Sequence, residues 1–501
     1  MDLQTTITDF KAHLNRMRMY GQAMSIMNFD AETIAPAGGM VGRAQRMGFF
    51  SLEMFKMSTG EEMKGFLEAL APHLAELDKP MQAMYDSCKR SYDAGTKIPP
   101  EKVQEFAILR SQAGEVWRSA REANDFAMFS PYLKKLISLG KELLVYRADE
   151  ITEGGVPYDI LLDDFERGMT VKKYDDFFEK IKAVVVPLIK KVTASNKKLR
   201  FDMAKVDIDT QRKISNMLAE KIGYDLNRGY IGETAHPFCS GSHKTDVRIT
   251  TRYDESDIFS SFYSIMHECG HAIYEQSVAD DIADTMLGSG TSMGIHESQS
   301  RFYENVIGRS RAFWDYITDD LKAVLPAEYA NMTPQQFYEA VNESKPSLIR
   351  VEADELTYSL HVIIRYEIEK MIIAGEVEVD DLPALWNKKY EEYLGVSSPT
   401  DADGVLQDIH WSGGMFGYFP TYALGSAYAA QMLHYMNKDM DVDAAIRSGD
   451  FAKITAWLTD KVHRHGSVYT PDELMELSFG EPLNGEYFAK YLENKFLALY
   501  Q

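Results

Sequence analysis

The chain has 501 residues, 45% of them hydrophobic and 26% charged, the balance of a soluble globular protein long enough to bury a large core. Its 54 Lys and Arg stand against 76 Asp and Glu, a formal net charge of −22. That surface repels phosphate backbones and anionic lipid, which excludes nucleic acid and membranes as partners. In chain order, residues 1–21 lack a basic start followed by an apolar run, so no secretory signal is read there. Residues 1–200 carry helical periodicity almost throughout, with amphipathic runs at roughly 99–124, 131–148 and 171–199. The longest apolar stretch, Ala183 to Ile189, is far too short to span a membrane. Ser130-Pro131, Thr333-Pro334 and Thr470-Pro471 read as helix starts, and Gln336 and Glu473 complete capping boxes in the last two. Three scattered cysteines, Cys88, Cys239 and Cys269, form no disulfide framework and point to a reducing, cytoplasmic compartment.

The strongest strand signal is the alternating, β-branched segment Asp246 to Tyr253, between a loop at 232–245 and a helix. Two more glycine-rich breaks follow, Leu287 to Gly294 and residues 404–425. Loops carry chemistry more often than regular elements do, so a site is expected between residues 231 and 425.

His267-Glu268-Cys269-Gly270-His271 fits the pattern H-E-x-x-H. Ile258, Phe262, Ile265, Met266, Cys269 and Ile273 recur at helical spacing and predict an amphipathic helix, with Asp254 or Ser256 at its start. On that helix His267 and His271 lie one turn apart and can grip one metal ion. Glu268, turned by about 100°, reaches a water on that ion without ligating it. Cys269 lies on the apolar stripe and reads as a buried small residue.

A catalytic zinc needs a third protein ligand and one open position. Glu297, which follows the Leu287–Gly294 loop and opens a second helix, is the leading candidate. His296 is its rival, and because helical neighbours diverge, only one of the two faces the metal. Taken alone, Glu297 also reads as an acidic residue favoured by a helix dipole.

With these motifs stand His236-Pro237-Phe238, Asp246-x-Arg248-x-Thr250, Ile349-Arg350-Val351-Glu352-Ala353-Asp354 and Gly404-Val405-Leu406-Gln407-Asp408-Ile409-His410-Trp411. In their order and spacing the sequence resembles the carboxypeptidase Taq family of metallocarboxypeptidases. The resemblance extends over the whole chain. It implies a mainly α, elongated, neurolysin-like body with a deep active-site groove and a small β element near the metal. One peptidase domain would span residues 1–501, with a helical lobe at about 1–200 and a metal-site and groove lobe at about 201–501. It further implies removal of single C-terminal residues from peptides, broad side-chain tolerance, zinc on His267, His271 and Glu297 with cobalt as a substitute, and a homodimer.

Within that reading Glu268 is the general base. His410 and Tyr422 are candidates to stabilise the oxyanion, and Tyr418 to serve the oxyanion or the substrate carboxylate. On so acidic a protein a free C-terminal carboxylate demands a specific cation, and Arg350 is the candidate. Its neighbours Glu352, Asp354 and Glu355 suggest a local ion pair. His236 is placed in the same pocket. Arg248 reads as a substrate contact or a salt bridge to Asp246, and the strand 246–253 as a partner for the peptide backbone. Two other readings stay open. One is an oligopeptidase or dipeptidyl carboxypeptidase using the same metal helix. The other is a non-catalytic helical binding protein with a silent motif.

Overall fold

Helices start where a side chain accepts the orphan amides of a first turn. Asp2, Asp125, Thr170, Asp207 and Thr470 do this for helices Leu3–Thr33, Phe126–Val145, Val171–Ala194, Ile208–Lys221 and Pro471–Phe479. The computed structural model describes residues 2–195, 197–201 and 203–501. The chain is mainly α-helical, with one three-stranded sheet. All three cysteines are free, and Cys269 is fully buried. Among the described residues no helix is long and apolar enough to cross a membrane.

The chain groups into two compact units, each assembled from separated stretches, and residue 200 is one of several crossings between them. The first unit comprises Met1–Thr96, Phe201–Val341 and Leu433–Pro482. Phe10, Leu14, Met63, Leu67, Met81 and Met84 form one of its cores, joined by Val278 and Leu287 from the neighbourhood of the metal motif. The unit also holds the sheet: β1 (Gly229–Glu233), β2 (Cys239–His243) and β3 (Asp246–Thr251), in the order β1-β3-β2. β3 pairs in parallel with β1 and antiparallel with β2. Both edges of β3 are therefore occupied, which corrects the expectation that this strand pairs with a peptide backbone.

The second unit comprises Lys97–Arg200, Asn342–Met432 and Leu483–Gln501. It opens with the antiparallel helices Pro100–Ala123 and Phe126–Val145. Asn124 takes the left-handed conformation between them, with φ of 54°, a role suited to asparagine. The second of these helices starts at Phe126, so Pro131 lies inside it and not at its start. The helix Tyr358–Ala374 is mostly buried and nonetheless carries Arg365 and Glu369, both fully buried.

Candidate active site

The metal motif lies on the helix Ile258–Gln276 of the first unit. Its cap is Asp257, which accepts from the Phe259 amide at 3.1 Å. Asp254 instead turns onto the Ser256 amide and hydroxyl. The helix is less amphipathic than its sequence suggests: even Glu268 retains only 6% exposure, whereas the side chains of His267 and His271 keep 21% and 16%.

Gly270 sits on the same helix against the backbone of Met293–Arg301, where an added Cβ would stand 2.7 Å from Ser300 Cα. Only glycine permits that approach. It brings Glu297 beside the motif, with Oε2 3.5 Å from His267 Nε2 and 3.4 Å from His271 Nε2. The ligand atoms of the three residues lie within 4.8 Å of one another. Two imidazole nitrogens and a carboxylate oxygen converging on one point are a donor set that fits a divalent ion of the zinc class. His296 does not join them; its ring turns to His271 Nδ1 and Glu275.

A π-helical segment, Phe302–Ile307, continues this second helix and carries Glu304. Its carboxylate accepts from His267 Nδ1 at 2.8 Å and from Arg301 at 3.1 Å. A carboxylate can only accept, so Nδ1 of His267 holds the proton and its Nε2 lone pair is left for a cation. Arg301 also donates to Glu297 Oε1 at 2.7 Å. Burial opposes ionisation, yet Arg301 holds Glu297 well below the usual carboxylate range, and Arg301 with the hydrogen bond from His267 holds Glu304 down to about 2. Burial, assisted by Glu297, pushes Glu268 up to about 7.

The second unit gathers Arg350, His410, Tyr418 and Tyr422 in one cluster. His410 Nε2 lies 3.2 Å from the Tyr422 hydroxyl, and its ring packs on Tyr418 and Phe419 at centroid distances of 5.3 and 4.4 Å. The Arg350 guanidinium stands 4.7 Å from the Tyr422 ring centre. Its ion pair is not the local one expected. Glu355 is held by Lys495 and Tyr491, and Asp354 by Ser344 and nearby amides. Arg350 instead donates to Asp408 Oδ1 through Nε and Nη2, at 3.1 and 2.9 Å. Arg365, fully buried, donates to the other oxygen of Asp408 at 2.6 Å. Two guanidinium groups thus share one carboxylate, and this trio keeps a net positive charge. Burial, with help from Arg350 and Arg365, holds His410 down to about 4, so it adds no charge. Its Nδ1 is buried without a hydrogen-bond partner among the described residues.

Sequence reasoning missed Arg365 and the role of Asp408. The signal for Arg365 was a charge directly after the apolar run Val362 to Ile364; for Asp408 it was its place between Gln407 and His410. His236 is exposed on the β1–β2 loop of the first unit. Arg248 is held by Asp246 in a two-point pair at 2.7 and 2.8 Å, the structural alternative considered for it.

A sequence model of the carboxypeptidase Taq (M32) metallopeptidases matches residues 9–496. The chain is 43% identical over 503 residues to carboxypeptidase 1 of Bacillus subtilis, covering 100% of both proteins. It is 35% identical to thermostable carboxypeptidase 1 of Pyrococcus furiosus over 98% of each. The crystal structure of an M32 carboxypeptidase from Deinococcus radiodurans superposes with a TM-score of 0.93 at 35% identity, covering 99% of each chain.

Proposed function

The chain belongs to the carboxypeptidase Taq (M32) metallopeptidase family, and from that premise we propose how it works as a metallocarboxypeptidase: it releases single residues from the C-termini of peptides, with broad side-chain tolerance. The family uses a divalent metal. The residues that would hold it are His267, His271 and Glu297, and the convergence of their three donor atoms beside Glu268 is the observation that carries the reading. A bound ion of this kind polarises the scissile carbonyl and acidifies water.

The protein's own residues do the rest. Glu268 takes the proton of the attacking water and hands it to the departing amine. Tyr422 and His410 are assigned to the developing oxyanion, with the paired hydroxyl and imidazole already in contact. Tyr418, packed on both rings, is the alternative donor. Arg350 binds the free carboxylate of the substrate, supported by the net positive charge of its trio with Arg365 and Asp408. His236 and Arg248 have weaker support: the first is exposed and the second is already paired.

Zinc is the proposed ion, with cobalt as a substitute, on the chemistry of the donor set. A cytoplasmic compartment is supported by the three free cysteines. A homodimer is proposed from the family resemblance.

The test of the metal and base assignments is metal content measured beside turnover. Glu268→Gln is expected to lose about 10²–10⁴ in turnover while retaining metal, and His271→Ala to lose both. Equal metal loss in the two variants would remove Glu268 from the role of base.

A further inference from the structure

Glu275 stands one turn beyond His271 on the metal helix, and neither it nor His296 is a metal donor in the site. The three side chains nonetheless form a continuous chain of contacts. His271 Nδ1 lies 2.6 Å from His296 Nδ1, and His296 Nε2 lies 2.8 Å from Glu275 Oε1. The same Glu275 oxygen accepts from the Ser289 hydroxyl at 2.8 Å and the Gly290 amide at 2.9 Å. The glycine-rich loop at 287–294 is thereby tied to the end of the relay.

With His296 neutral, one proton arrangement satisfies every link. The Glu275 carboxylate can only accept, so His296 carries its hydrogen on Nε2. Nδ1 of a neutral His296 then has a lone pair and accepts from His271. His271 must therefore hold its hydrogen on Nδ1, which leaves its Nε2 lone pair directed to the Glu297 side. Packing fixes the middle ring as well. A Cβ on Gly290 would stand 2.6 Å from His296 Cδ2 and 2.7 Å from the Tyr274 ring, so the loop lies directly on both. The Tyr274 and His296 rings stand 5.1 Å apart.

We propose that His296 and Glu275 are positioning residues. Through a two-link relay anchored by the glycine-rich loop, they fix the tautomer and aim of His271 as a metal ligand. This rests on the reading of His267, His271 and Glu297 as the metal donors. The other imidazole is served differently, since His267 reaches a carboxylate directly at Glu304. Disabling the relay therefore perturbs one ligand and leaves its partner's support intact.

The experiment strips metal from the full-length protein and measures the zinc dissociation constant by competition with a chromophoric chelator. The visible spectrum of the cobalt-loaded protein is recorded alongside. His296→Leu removes the acceptor and is expected to weaken zinc binding about 10–100-fold. It should also alter the cobalt spectrum without lowering the thermal midpoint of the metal-free protein. His296→Asn places an amide oxygen near the position of Nδ1 and should recover part of the loss. Glu275→Gln should weaken binding in the same sense, and its combination with His296→Leu should be no worse than His296→Leu alone, because both act through one chain. Wild-type zinc affinity in His296→Leu would overturn the proposal, and so would additive losses in the double variant. Failure of the wild-type protein to bind zinc is a different result, and it would count against the donor set itself.

Discussion

Asp408 shows what one residue does for the second unit. It neutralises Arg365, which is fully buried, and orients Arg350, which is 5% exposed. Burial resists its ionisation, but Arg365 and Arg350 bring it down from 3.8 to about 2. A lowered folded pKa means that its stabilisation is present above the unfolded value and is lost as pH falls through the folded one. The acid window for this residue therefore runs from about pH 4 down to about pH 2. Asp408→Asn leaves two buried cations without a counter-charge and is expected to cost about 3–5 kcal/mol at pH 7 in urea denaturation. A loss below about 1 kcal/mol would mean that the trio is not a buried network. This residue also marks a limit of the sequence. The pairing of His267 with His271 was legible because a helical repeat has fixed geometric meaning, whereas the choice of Glu297 over His296 came from the family resemblance. The partner of Arg350 was not legible, because Asp408 lies 58 residues away in sequence and local acids offered a plausible false pair.

At the scale of elements, the metal site depends on how closely two helices cross. Gly270 is the contact point, facing backbone atoms of Gln299 and Ser300 that cannot rotate away. Two effects compete in Gly270→Ala. Alanine is worth about 1 kcal/mol over glycine in a helix interior, while forcing a methyl into packed backbone costs about 1–3 kcal/mol. The second should win, lowering the melting midpoint and weakening metal binding as Glu297 is pushed away. Gly140, inside Phe126–Val145, meets nothing within 4 Å of an added Cβ. Gly140→Ala should therefore raise stability by up to about 1 kcal/mol. Equal gains in both variants, read by thermal melts, would contradict the close crossing. In the sequence Gly270 was only a filler position of the motif, since nothing local distinguishes a glycine needed for packing. Helix starts with capping chemistry were readable at Thr333 and Thr470. Ser130-Pro131 misled, because Asp125 caps the helix five residues earlier. β3 was readable as a strand, but its central position depends on β1 and β2, whose short segments have no comparable periodicity.

At the scale of the whole molecule, the net charge of −22 sets the problem that the activity must solve. The substrate end is an anion, and the acidic surface repels it. In the proposed reading the answer lies in the second unit, which holds buried guanidinium groups in excess over carboxylate. The first unit holds the proposed metal donors and Glu268. The central claim, that a free C-terminal carboxylate is read by Arg350 and one residue is released at a time, is tested most directly by mass spectrometry of products. The measurement uses one peptide as free acid and as C-terminal amide. Amidation removes the anion that the excess positive charge of the trio would bind, so the amide should be cut at least about a hundredfold less efficiently, taking roughly 3 kcal/mol for a buried charge-assisted pair. In Arg350→Ala, Asp408 keeps Arg365 as its partner, so the variant should fold. It should show a similar loss on the free acid and little further loss on the amide. Products should shorten by single residues from the C-terminus. Efficient cleavage of the amide, or dipeptides and internal fragments that are indifferent to Arg350→Ala, would contradict the account.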